Sequence, residues 1–147
     1  MKNNKGVTLI MVLMTVVVLS ILAGVVITTT TNTIANMKIE KFKTNIKLIQ
    51  KQVDIFMDEG KDYNTIGRAL TADTTQILSS ILEEDNNIET TSANDPGLRY
   101  FSYNDIKTVF DIDTDEEDYF INFSNREIIS VSGIKKDEIF HHVEKGL

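Results

Sequence analysis

The sequence predicts an α+β chain in which a long N-terminal helix, its inner half transmembrane, packs against a small antiparallel β-sheet. Three observations carry this expectation. Residues 7–27 form an apolar run of 21 residues without a charge. Apolar residues then recur at helical spacing as far as Met57. Tyr119 to Val131 reads as two short strands around a polar turn.

The run from Val7 to Ile27 contains only Thr8, Thr15 and Ser20 as polar side chains. At about 1.5 Å of rise per residue its helix reaches roughly 30 Å, the thickness of a hydrocarbon core. It is too long for the apolar part of an ordinary secretory signal, and no small-x-small cleavage site follows it. Lys2 and Lys5 precede it without an acid, whereas the remainder of the chain is acidic. The positive-inside bias keeps the N-terminus cytoplasmic and places the rest outside.

Beyond the membrane segment, Ile34, Met37, Lys38, Phe42, Ile46, Ile49, Val53, Phe56 and Met57 recur at steps of three and four, an apolar stripe of helical period. Residues 28–58 are therefore an amphipathic continuation of the helix, with Gly60 as its stop. A continuous helix from Val7 to Asp58 spans roughly 78 Å. Gly24 and Thr28 to Thr33 are its weak points, where helix propensity falls.

Residues 59–147 supply the cover for that stripe. Asp73 is expected to cap a short helix carrying Ile77, Leu78, Ile81 and Leu82 on one side, running over the long helix. Glu83 to Asn94 is polar and acidic and reads as a mobile loop, followed by a turn at Asp95-Pro96-Gly97. Leu98 to Tyr103 reads as a strand, and Ser102 or Asn104 starts a helical turn with Ile106, Val109 and Phe110. Tyr119 to Phe123, Ser124-Asn125-Arg126 and Glu127 to Val131 form the hairpin, and Glu138 to Val143 a third strand. One sheet face is expected on the helical stripe and the other in water.

The boundary of the apolar run carries a family resemblance. A short basic leader, then Lys5, Gly6, Val7, Thr8, Leu9 and Ile10 at the head of a membrane helix, resembles the prepilin signal of the type IV pilin and pseudopilin family. The resemblance implies cleavage by a membrane-embedded prepilin peptidase after Gly6, with residues 1–6 as leader and Val7 as the N-methylated first residue. It also implies a pilin-like fold, a place in a filament beside other pilin or pseudopilin subunits, assembly machinery in the inner membrane, and storage in the lipid bilayer. The protein would be a single-pass membrane protein, at the cell surface or in the periplasm once assembled. Most members carry a glutamate five residues into the mature chain, where this sequence has Met11. Subunits without that carboxylate resemble the minor, tip-located components. The alternative is an uncleaved single-pass anchor displaying a small binding or regulatory domain.

Charge and composition limit other functions. With 15 basic and 22 acidic side chains the net charge is −7, and it becomes −9 if Lys2 and Lys5 leave with the leader. Direct nucleic-acid binding is not expected, because that affinity comes from clustered Lys and Arg. The chain has no cysteine, so no disulfide holds the exported part. Asp111-Ile-Asp113-Thr-Asp115-Glu116-Glu117-Asp118 begins like a calcium loop, but Glu116 replaces the glycine at position six and Asn122 the glutamate at position twelve. A solvated acidic loop is the preferred reading, and no metal site is assigned. His141 and His142 would point to opposite faces of a strand and not chelate one ion. No cofactor is expected. No nucleophile elbow, cysteine nucleophile or phosphate loop is present, and catalysis has no visible basis.

Overall fold

The computed structural model describes the backbone of residues 5–147 and the side chains of residues 10–22 and 31–147. Helix α1 runs unbroken over Lys5–Asp58, 54 residues, so Gly24 and the threonines after Ile27 do not interrupt it. The chain divides into two compact units, one ending at Lys38 and the other comprising Ile39–Leu147. Each is described by itself.

Within the second unit, α1 ends as its sequence signals. Gly60 takes φ +67, the left-handed conformation that costs glycine little. The Gly60 N–H donates to the Met57 carbonyl at 3.0 Å and the Lys61 N–H to the Phe56 carbonyl at 3.3 Å. These two bonds are a Schellman cap. After one 3-10 turn at Tyr63–Thr65, Arg68 pairs with Tyr100 through two backbone hydrogen bonds.

Helix α2 spans Ala72–Glu84. Its cap is Thr71, not Asp73: Thr71 and Thr74 exchange side-chain-to-backbone hydrogen bonds, and Asp73 lies in the first turn. There its charge complements the helix dipole instead of satisfying the first N–H groups. Helix α3, Tyr103–Phe110, starts at Ser102 and closes a second capping box with Asp105.

Strands β1 (Leu98–Phe101), β2 (Tyr119–Asn122) and β3 (Glu127–Ser130) form an antiparallel sheet in that spatial order. The β2–β3 hairpin closes on the pair Asn122 and Glu127, with Arg126 at φ +62 in the turn. The expected third strand falls elsewhere. Ile139–His141 is β5, which pairs with β4 (Ile134–Lys136) in a separate two-stranded sheet, while β1 completes the main one.

The sheet is buried on both faces, which corrects the expectation of one wet face. On the first, Phe42, Ile46, Ile49 and Val53 of α1 meet Phe101, Tyr119, Ile121, Phe123 and Ile128, with Ile106 and Phe110 of α3 closing the side. On the second, Leu78 and Ile81 of α2 meet Leu98, Phe120, Ile129 and Val143. Alternation along β2 sends Tyr119 and Ile121 one way and Phe120 the other, so each face is apolar enough to need a cover. Helix α2 therefore covers the far face of the sheet and does not run over α1. The apolar stripe of α1 is buried only from Phe42 onward. Ile34, Met37 and Lys38 are exposed.

Candidate functional site

The residues Lys5 to Ile10 head α1. The side chains of Lys5, Gly6, Val7, Thr8 and Leu9, and all of residues 1–4, lie outside the described residues, as do the side chains of residues 23–30. From Ile10 to Leu22 every side chain is exposed. Ile10, Met11, Leu13 and Leu19 are 63–68 % accessible and lie on all sides of the helix. Among the described residues of its own unit none covers this surface, and contiguous apolar surfaces of that kind are where proteins meet lipid or other proteins. Among the described residues no helix is long and apolar enough to cross a membrane; the described side chains cover Ile10–Leu22 of the 21-residue run.

The polar side chains within this stretch are internally satisfied. Thr15 Oγ1 donates to the Val12 carbonyl and Ser20 Oγ to the Val16 carbonyl, both at 2.8 Å. Each hydroxyl is thus folded back onto its own helix, the arrangement an apolar surrounding demands.

The acidic segment does not assemble into a chelate. Asp111 sits at φ 56 as the C-cap of α3, and Asp115 pairs with Lys41 at 2.6 Å. Glu117 and Asp118 turn inward. Asp118 accepts from the Tyr100 hydroxyl at 2.5 Å and the Tyr103 N–H at 2.8 Å, and Glu117 accepts from Tyr119, Ser130 and Ser132 hydroxyls. The segment is therefore solvated only in part, because two of its carboxylates are the acceptors for the hydroxyls of buried Tyr119 and half-buried Tyr100. Burial first, then Asp118, pushes the Tyr100 phenol up to about 12; burial and Glu117 push Tyr119 up as well. Among the described residues, no group of three or more His, Cys, Asp or Glu is placed to hold a metal ion.

His141 and His142 are both buried. His142 Nδ1 lies 2.8 Å from the Ser130 carbonyl, while His142 Nε2 and His141 Nδ1 have no hydrogen-bond partner. Asp85, itself buried, accepts from the His142 N–H at 2.7 Å and from the Asn87 backbone and side chain at 2.9 Å. Burial works to raise the Asp85 carboxyl, but these donors hold it below the ordinary carboxylate value.

The segment expected as a mobile loop is pinned instead. Glu127 accepts from the N–H groups of Glu89 and Thr90 and from the Thr90 hydroxyl at 2.6–2.7 Å. Asn122, fully buried, donates to Thr90 and Asp95 and accepts from the Ser124 N–H. Sequence reasoning missed this network because its partners are 27–38 residues apart. The one local signal is a polar Asn122 in a strand otherwise made of Tyr, Phe and Ile.

No protein-family model matches the chain, and no curated protein or solved structure is significantly similar to it.

Proposed function

We propose that this chain is a minor structural subunit of a type IV pilus-like or pseudopilus filament, processed by prepilin peptidase after Gly6 and assembled through its N-terminal helix. The observation that carries the reading is the uncovered apolar surface from Ile10 to Leu22, heading a single helix that continues into the core of an acidic α+β unit. The motif Lys5-Gly6-Val7-Thr8-Leu9-Ile10 at the start of that helix supports the same reading.

In this mechanism the bilayer stores the subunit, with Val7 to Ile27 in the hydrocarbon and the N-terminus cytoplasmic. Cleavage frees Val7, which is then N-methylated. Extraction into a filament is tolerable because neighbouring helices offer the apolar side chains a surrounding like lipid. Thr15 and Ser20 travel without leaving an unsatisfied hydroxyl, since each bonds its own helix. Met11 supplies no carboxylate to pair with a neighbour's terminal amine, which suits a subunit with none ahead of it.

Intact mass and N-terminal sequencing of the protein recovered from its native membrane test the proposal. The expected product begins at methylated Val7. A chain that retains residues 1–6 overturns the filament reading and leaves an uncleaved membrane-anchored binding protein.

A further inference from the structure

His142 is 3 % exposed, and its ring is fixed from one side. A carbonyl oxygen only accepts, so the 2.8 Å contact with Ser130 puts the hydrogen on Nδ1. That leaves Nε2 as the nitrogen that gains or loses a proton. Nε2 is buried without a hydrogen-bond partner, and the nearest carboxylate oxygen is Glu84 Oε2 at 3.6 Å. With the neutral ring, two acceptors face each other and a buried polar atom stays unpaired. With a proton on Nε2, the same two groups become a charge-assisted donor and acceptor. The gap exceeds hydrogen-bond length, so the Glu84 side chain, half exposed at the end of α2, has to shift to close it.

The position of His142 gives this pair mechanical consequence. Its backbone is held on both sides, the Ser130 N–H donating to the His142 carbonyl and the His142 N–H to Asp85, each at 2.7 Å. The ring fits only because residue 133 is glycine, where a Cβ would come within 2.9 Å of His142 Nδ1 and Cε1. Val143, next in the chain, is part of the far-face core. We propose that His142 is a proton-operated clasp: protonation at Nε2 draws Glu84 onto the ring and tightens the C-terminal segment against β3 and α2.

Several elements pack around the ring. Helix α2 contributes Glu84, and the turn after it Asp85, whose carboxyl is held low by its donors and keeps its charge at neutral and mildly acidic pH. The end of β3 contributes Ser130 and the turn after it Gly133, both uncharged, with Glu117 bonded to Ser130 Oγ from beyond. β5 contributes Phe140, stacked on the ring, and His141. After the ring, Glu144 pairs with Lys47 and Lys145 with Glu89, both at 2.9 Å. Glu84 is thus the partner that can answer a proton on Nε2.

The test is hydrogen exchange by NMR on the full-length chain in detergent micelles, comparing protection factors of the Ser130 and His142 amides at about pH 8 and about pH 5.5. The wild type is expected to gain about threefold in protection at the lower pH, the size a half-exposed ion pair supplies. Glu84→Gln should abolish the gain, and so should His142→Asn, whose amide keeps a donor for Ser130 without a second ring nitrogen. An equal gain in Glu84→Gln, or none in the wild type, overturns the clasp. If His142→Asn fails to fold, the surface variant Glu84→Gln decides alone.

Discussion

At the scale of single residues, stability rests on a few side chains that join distant segments. Glu127 holds three donors from Glu89 and Thr90 with its two oxygens. In Glu127→Gln an amide NH₂ replaces one acceptor and faces those donors. The variant is expected to lose about 1.5–3 kcal/mol in urea denaturation, the range for hydrogen bonds to a charged group. Gly97 is a second such point. A Cβ there would collide with Ser124 Oγ and lie 2.6 Å from the Ser124 backbone nitrogen, so Gly97→Ala should cost about 1–3 kcal/mol by the same assay. Tyr100 gives a pH dependence with a definite sign. Its phenol is pushed up to about 12 by burial and by Asp118, above the ordinary tyrosine value of about 10. The stability it contributes is complete below about pH 10 and is lost as pH rises towards about 12. Urea midpoints at about pH 9 and pH 11 should therefore diverge in the wild type more than in Tyr100→Phe.

Among the elements, the ones with a local signature were legible in the sequence. The long helix, its stop at Gly60, the start of α3 at one of two candidate caps, Ser102 or Asn104, and the β2–β3 hairpin depend on periodicity, caps and turn residues within a few positions. Helix α2 was legible as a helix but not as to its cap or its partner. Thr71 and Asp73 are both good capping types, and only the bonds made with Thr74 distinguish them. Its apolar side, Leu78 and Ile81, would fit any apolar surface, and the sheet's second face is the one left uncovered by α1. Leu78→Ala, at a fully buried position in the far-face core, is expected to cost about 2–5 kcal/mol with a fall in the urea midpoint. The same change at Ile77, which is 44 % exposed one position earlier, should cost far less.

For the whole molecule, one helix carries two different surfaces: uncovered and apolar from Ile10 to Leu22, and one-sided from Phe42 to Val53, where it backs the sheet. If the first surface lies in lipid, as proposed, a charge in its middle must be costly. Val16→Asp, at about 2.5–3.5 kcal/mol for a centrally placed charge, should shift the protein out of the membrane pellet on fractionation without unfolding the acidic unit. The sequence by itself determined the class of the chain, the length of its helix and the residues flanking the apolar run, because these follow from composition and from periods of two and 3.6. Only the tertiary structure decided that the sheet is covered on both faces, that Glu117, Asp118 and Glu127 are internal acceptors, and that the two histidines are buried. Those outcomes depend on which distant backbone groups and apolar faces meet, and contacts between residues dozens of positions apart leave no local pattern.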